Sequence, residues 1–206
     1  MFLSQTVSLS DFSSTAEARR AGARMAASLG LNETKSGQTA IVITEAARNA
    51  VVYGGGGQLL LSGMKSKTGT RMEIVAPDRG PGIADLARAL QDGYSTGGTP
   101  GTGLGAIKRM AEVFDVFSNA KGTAIFARIE QSETDARSHK PSVELAGLIS
   151  PIAGETDSGD NLAWEMNGDR CIVMMADGLG HGPLAANAAD EAVRVFRLHS
   201  AESPAA

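Results

Sequence analysis

Glu45 and Asn49 stand four residues apart in a stretch from Asn32 to Tyr53 whose apolar residues recur at helical spacing. At that spacing the two side chains are neighbours on a helix surface. The core stripe of the same helix falls on Ile43, Ala47, Ala50 and Val51. Glu45 and Asn49 lie on a different face, flanked by Ile41 and Val52. An amide oxygen there can ligate Mg2+ while the ion keeps several waters. A neighbouring carboxylate can accept a proton from an attacking hydroxyl. Taken alone, the pair also fits an ordinary solvated helix face.

Three glycine clusters follow. The first, Asp78-Arg79-Gly80-Pro81-Gly82-Ile83, comes directly after a strand-like run ending at Ala76. A carboxylate at a strand end can accept a hydrogen bond from an exocyclic amine, and glycines beside it leave room for a flat ring. The second, Gly97–Gly105, opens a helix. Its backbone N–H groups and the positive helix N-terminus suit phosphate oxygens, and its flexibility suits a closing lid. The third, Gly122-Thr123, enters a strand. Each by itself also reads as a plain turn. Gly101 to Ala106 satisfies G-x-G-x-x-A, but that dinucleotide fingerprint needs a strand immediately before it. Asp92–Pro100 cannot be a central strand, so the Rossmann reading is excluded. No G-x-x-x-x-G-K-[ST] occurs, which excludes a P-loop.

Near the C-terminus, Gly159-Asp160-Asn161 begins one strand-like run and Ala176-Asp177-Gly178-Leu179-Gly180-His181-Gly182 ends another. Asp160 and Asp177 at neighbouring strand ends could share divalent metals, with Gly178 letting the backbone approach them. His181 reads as a turn residue.

The elements that would position these residues follow from punctuation and period. Ser4–Ser10 reads as an edge strand and Thr15–Leu29 as a helix stopped by Gly30. Asn32 caps a second helix, which runs to about Tyr53 and ends in four glycines. Gln58–Met64 and Thr70–Ala76 form a hairpin through Ser66–Gly69. Ile83–Leu90 is a short helix, Asp92–Thr102 a loop, Leu104–Ala111 a helix, and Glu112–Ser118 and Thr123–Glu130 strands. Strands joined by hairpins with several helices argue an α+β, two-layer sandwich: a mixed sheet with helices on one face. Beyond the polar stretch 131–142, read as a linker, Leu145–Ile149, Asn161–Met166 and Arg170–Ala176 look like strands and Pro183–Leu198 like a helix.

Composition sets the outer bounds. The 206 residues include 25 glycines, about 12% against a usual level of about 7%. Only nine residues are aromatic, so the core rests on Ala, Val, Ile, Leu and Met. There is no apolar run of about 18 residues, which excludes a membrane-spanning helix. The N-terminus lacks the basic region and apolar stretch of a signal peptide. The single cysteine, Cys171, permits no internal disulfide, and no zinc-ligand spacing occurs. A reducing, cytoplasmic setting is expected. Residues 1–130 carry 14 basic and 11 acidic side chains, a net +3, whereas residues 131–206 carry 5 and 12, a net −7. That asymmetry suggests two units with different partners. With so small a positive charge and few aromatics to stack bases, nucleic-acid binding is not expected.

The order of the parts carries more than any one of them. An Asn-bearing helix, Asp-x-Gly-x-Gly after a strand, a Gly-rich lid opening a helix, and Gly-Thr on a strand together resemble the GHKL-type ATPase and kinase superfamily, over about residues 1–130. Within it, Glu45-Ala46-Ala47-Arg48-Asn49, Asp92-Gly93-Tyr94-Ser95-Thr96-Gly97-Gly98 and Gly101-Thr102-Gly103-Leu104-Gly105 look like the RsbT-type serine/threonine protein kinases of bacterial partner-switching systems. The resemblance implies a Bergerat-type fold and an ATP- and Mg2+-dependent transfer to a STAS-domain protein. Asn49 would hold Mg2+ on the phosphates and Glu45 would orient or deprotonate the acceptor hydroxyl. Asp78 would bind the adenine amine, with Gly80 and Gly82 making space and Thr123 assisting. Gly101, Thr102, Gly103, Leu104 and Gly105 would wrap the phosphates. A sensor histidine kinase fits less well, because residues 1–40 contain no histidine for a phospho-accepting helix. The other reading is an anti-sigma or switch protein of the RsbW-like kind, which sequesters a partner such as a sigma-factor regulator. Residues 143–206 resemble the start of a SpoIIE-type phosphatase. Asp160, Asp177 and Gly178 would be its metal site, taking Mn2+ or Mg2+, and a partner of SpoIIE type would also be in keeping. That family needs further aspartates downstream, and after Asp177 only Asp190, Glu191 and Glu202 follow. Roughly 60 residues also bury little core. An inactive remnant is therefore expected, and an active one would make the chain a bifunctional kinase and phosphatase regulator.

Overall fold

The structure is a computed structural model that describes residues 2–66, 69–90, 103–132, 145, 147–152, 154–167, 170–200 and 202. The chain divides into two units, Met1–Arg137 and Ser138–Ala206, each described by itself.

The first unit opens with strand β1, Phe2–Leu9, and helix α1, Phe12–Leu29. Asp11 caps α1: its carboxylate accepts from the Ser13 and Ser14 N–H groups at 2.8 and 3.0 Å, while the Ser14 hydroxyl accepts from the Asp11 N–H. This reciprocal pattern satisfies backbone donors that the first turn leaves free. Gly30 ends the helix at φ 74°, a left-handed conformation that costs glycine little. Helix α2, Glu33–Val52, follows with Asn32 as its cap. The hairpin β2, Gly57–Lys65, and β3, Gly69–Pro77, comes next. After it come one turn of helix α3, Leu86–Ala89, helix α4, Gly103–Met110, and the hairpin β4, Val113–Asn119, and β5, Gly122–Ser132.

The strands order as β1-β2-β3-β5-β4, and each of the four pairings is antiparallel. The sheet is thus not mixed, as the sequence suggested. Two consecutive helices between β1 and β2 reverse the chain twice before it returns, so β2 meets β1 antiparallel. Strands β3 and β4 do run in the same direction, but β5 lies between them.

Along β3 and β5 burial alternates with period two, placing Met72, Ile74 and Ala76 beside Ile125, Ala127 and Ile129. These side chains meet Val42, Ile43, Ala46 and Ala47 of α2 and Ala18, Ala21 and Leu29 of α1 in one core. Each fully buried Leu, Ile or Met contributes about 1.5–3 kcal/mol. Small residues fill the helix side of this core, and that lets α1 and α2 approach: a Cβ on Gly22 would overlap the Ile43 side chain. On the face away from the helices, Glu73 accepts from Arg128 Nε at 3.0 Å.

Two local expectations change. The helix expected over Ile83–Leu90 is confined to Leu86–Ala89, because the Ile83 N–H donates to the Ser118 hydroxyl at 2.8 Å and Asp85 caps a later start. Strand β5 runs to Ser132, two residues into the stretch assigned to a linker. Gln131 pairs with Thr70 there, and its side-chain oxygen accepts from the Asn32 N–H at 2.7 Å.

The second unit contains an antiparallel hairpin, β6, Asp160–Asn167, and β7, Arg170–Asp177, followed by helix α5, Pro183–His199. Ala163, Ala185, Ala189 and Val193 are buried where the helix meets the hairpin. Leu145 and residues 147–149, expected within a strand, are not in one.

Candidate functional site

The C-terminal half of α2 is the organising element. Its inner face, Ala46, Ala47 and Ala50, is buried in the core, which turns Glu45 and Asn49 to a half-buried flank. Helix α4 begins against that flank. A Cβ built on Gly103 would lie 3.0 Å from Glu45 Oε2 and 3.5 Å from Asn49 Oδ1. Gly105 and Ile107 of α4 are buried and Leu104 packs on the core, so the start of this helix is fixed next to the carboxylate and the amide. A helix start presents unpaired N–H groups and a positive field. Glu45, Asn49 and Gly103 are thus brought together. Gly101 and Thr102 lie outside the described residues.

At the end of β3 stands Asp78. Its Oδ1 accepts from the Gly80 N–H at 2.9 Å and the Thr123 N–H at 3.0 Å, and its own N–H donates to the Thr123 carbonyl at 2.8 Å. Two bonds hold the carboxylate through one of its oxygens, and the third fixes its backbone. Among the described residues no donor engages Oδ2, which is left to accept from a ligand. Thr123 is buried, and its hydroxyl is 3.0 Å from that of Ser118. Gly82 turns the chain at φ 76° against the carbonyl of Asn119. Asp78, Gly80, Gly82 and Thr123 therefore gather at one sheet end.

Two participants were not singled out from the sequence. Gly54 follows the last turn of α2, and a Cβ there would overlap the Asp78 side chain and lie 2.6 Å from the Ala50 carbonyl. Gly80 is pressed against it, a Cβ there lying 2.7 Å from Gly54 Cα and from the Tyr53 carbonyl. Two glycines back to back thus let Asp78 sit against the end of α2, close to the Asn49 turn, whose carbonyl accepts from the Gly54 N–H at 3.3 Å. The four-glycine run was a visible signal, though one that reads first as a helix stop. Ser118 was the other participant, and no motif surrounds it.

This unit thus holds a fixed carboxylate acceptor in a glycine-lined cradle and, beside it, an amide and a second carboxylate facing a glycine-rich helix start. The first part can hold a flat ring by its amine. The second can hold a phosphate chain with a metal ion and take up a proton. These are the needs of phosphoryl transfer, where positioning and charge neutralisation dominate.

In the second unit Asp160 and Asp177 face each other in register across β6 and β7, both exposed. Gly178 is buried, its N–H donates to the Gly159 carbonyl at 2.9 Å, and a Cβ there would lie 2.6 Å from the Ala185 carbonyl. Backbone packing by itself accounts for the glycine. Among the described residues no three or more His, Cys, Asp or Glu side chains gather as a metal site. His181 Nδ1 is 2.7 Å from Glu155 Oε1 in the turn before α5.

Among the described residues no helix is long and apolar enough to cross a membrane. The family model described as the histidine kinase-like ATPase domain matches residues 9–129. The chain is 36% identical over 111 residues to the serine/threonine-protein kinase RsbT of Bacillus subtilis (strain 168), covering 53% of this chain and 84% of that one. The mycobacterial sensor histidine kinase MprB shares 17% identity at a TM-score of 0.40, over 62% of this chain and 97% of that one, a likeness too loose to carry an argument. The family match and the RsbT likeness support a serine/threonine kinase. By a match that spans more than half its length and takes in Glu45, Asn49, Asp78, Gly103 and Thr123, the chain belongs to the histidine kinase-like ATPase domain family.

Proposed function

We propose that this chain transfers the γ-phosphoryl group of ATP to a serine or threonine of a STAS-domain protein, as a cytoplasmic component of bacterial partner-switching signalling. The observation that carries this reading is the meeting of Glu45, Asn49 and Gly103, a base, a metal ligand and the start of a phosphate-binding helix at one place. Asp78 Oδ2 accepts from the adenine amine, with Gly80, Gly82 and Thr123 shaping the cradle. Asn49 holds Mg2+ through its amide oxygen, and the ion supplies charge neutralisation at the phosphates. Gly103 to Gly105, together with Gly101 and Thr102, cover the phosphate chain. Glu45 accepts the proton of the acceptor hydroxyl as its oxygen bonds to the γ-phosphorus and the bond to ADP breaks, leaving phosphoprotein, ADP and a protonated Glu45.

Incubating the chain with labelled ATP, Mg2+ and STAS proteins from the same genome tests this. Label should move to a serine or threonine of one of them. Glu45→Ala should lower transfer about 100-fold or more, the usual worth of a positioned base, while ATP affinity changes little. Equal loss of both, or ATP binding with no transfer to any STAS protein, overturns the reading. A protein that only sequesters its partner has no use for a carboxylate held beside the phosphate-binding helix, which favours the kinase over that reading.

For residues 143–206 the reading is a phosphatase-like remnant without activity. Asp160 and Asp177 supply two carboxylates, and among the described residues no third ligand joins them.

A further inference from the structure

Ser118 borders the Asp78 cradle and has no part in the reading above. It stands on β4 directly opposite Thr123 of β5, on the sheet face that turns Phe114, Val116, Ile125 and Ala127 toward the core. Its hydroxyl accepts from the Ile83 N–H at 2.8 Å and lies 3.0 Å from the Thr123 hydroxyl. Gly82 makes the first of these contacts possible. It turns the chain at φ 76°, and a Cβ there would overlap the Asn119 carbonyl and lie 3.1 Å from Ser118 Oγ. The other half of the pair, Thr123, is only 7% exposed, and its N–H already donates to Asp78 Oδ1.

The proton between the two hydroxyls decides what Thr123 offers. A hydroxyl has one proton to give and two lone pairs to receive. If Thr123 donated to Ser118, the Ser118 oxygen would receive two donors, and its own proton would meet no acceptor among the described residues. If Ser118 donates to Thr123, the bonds run head to tail from the Ile83 N–H through Ser118 to Thr123, and each polarises the next. The Thr123 proton is then left over beside Asp78, where a buried donor without a partner is costly and a ligand acceptor would satisfy it. We infer that Ser118 is a positioning residue for base recognition: by donating to Thr123 it makes Thr123 a donor next to the acceptor Asp78 Oδ2. This rests on the adenine site proposed above and adds what selects its base. A donor beside an acceptor matches adenine, whose amine donates and whose neighbouring ring nitrogen N1 accepts. Guanine presents the reverse, an accepting carbonyl oxygen beside a donating N1–H. It would set a proton against the Thr123 proton and an oxygen against Asp78.

The test measures how tightly the full chain binds ATP, GTP and 1-deaza-ATP, in which a C–H replaces N1, by competition against a fluorescent ATP analogue. The wild type should bind 1-deaza-ATP about 3- to 10-fold more weakly than ATP, and GTP more weakly still. Ser118→Ala frees the Thr123 hydroxyl to turn, so the preference for ATP over 1-deaza-ATP should fall to about twofold or less, and the preference over GTP should fall with it. Ser118→Thr keeps a hydroxyl and should keep both preferences. Thr123→Val removes the donor and should abolish the preference over 1-deaza-ATP, and adding Ser118→Ala to it should change neither preference further. A Ser118 that acts through packing alone would weaken all three nucleotides alike and add its loss to that of Thr123→Val. That result overturns the inference and leaves the ATP site standing. So does a wild type that binds ATP and 1-deaza-ATP equally well. A wild type that binds no ATP overturns both.

Discussion

Asp78 shows how one side chain can be fixed and still be available. Its Oδ1 takes two backbone donors, and the second oxygen is free to read a ligand. Asp78→Asn keeps the shape. With the amide oxygen facing the Gly80 and Thr123 N–H groups, its NH2 takes the place of Oδ2 and presents a donor where an acceptor is needed. A hydrogen bond to a charged group is worth about 1.5–3 kcal/mol, so ATP should bind about 10- to 100-fold more weakly, with the unfolding temperature nearly unchanged. Titration of a fluorescent ATP analogue, paired with thermal unfolding, checks both halves. Gly54→Ala should behave differently. Its new methyl has no space beside the Ala50 carbonyl and Asp78, so the end of α2 must shift and stability should fall by about 1–3 kcal/mol along with ATP affinity. Asp78, Gly80, Asn49 and Glu45 were legible in the sequence because chain order and spacing carry them. Gly54 and Ser118 were not, because each acts on a residue more than 20 positions away and only the folded sheet end brings the partners together.

At the level of elements, the helices were readable because their stops are local chemistry: Asn32 and Gly30 do their work within one turn of where they stand. Strand direction was less readable. Whether β3 and β4 pair or merely run alike depends on β5 slotting between them, which no local signal encodes. The ion pair of Lys35 and Glu112 is a device of this level. Glu112 also accepts from the Glu130 N–H at 2.7 Å, so it ties the first turn of α2 to the strand hairpin. Partial burial pushes the Glu112 carboxyl up, but the bonds from Lys35 and the Glu130 N–H outweigh it and hold the group below the usual glutamate range. A depressed pKa in the folded state adds stability above the unfolded pKa, and that stability is lost as pH falls through the folded value. Glu112→Gln should therefore cost up to about 1 kcal/mol at pH 7, the scale of a partly exposed pair. Urea midpoints of wild type and variant should converge once the pH drops below the folded pKa of Glu112. A gap that persisted there would assign the effect to packing.

The whole molecule joins two units of unlike charge, and the residues read as the ATP site all lie in the first, Met1–Arg137. The second, Ser138–Ala206, was singled out for Asp160 and Asp177, and its geometry bears on whether it has chemistry of its own. Two carboxylates directly opposite on paired strands repel each other, and a divalent ion would relieve that repulsion. Yet a two-metal hydrolytic centre needs more oxygen ligands than two side chains offer, each ion taking six or so. Gly178, read from the sequence as room for approach to a metal, is already required by the Gly159 and Ala185 carbonyls. The prediction is that the full chain, given Mn2+ and the phosphoserine form of its STAS substrate, releases phosphate no faster than the Asp160→Asn, Asp177→Asn double variant. Mn2+ should also leave the wild-type unfolding temperature unchanged, since an ion that binds weakly to the native state shifts it little. Phosphate release that depends on both aspartates would instead make this chain a switch that writes and erases the same mark.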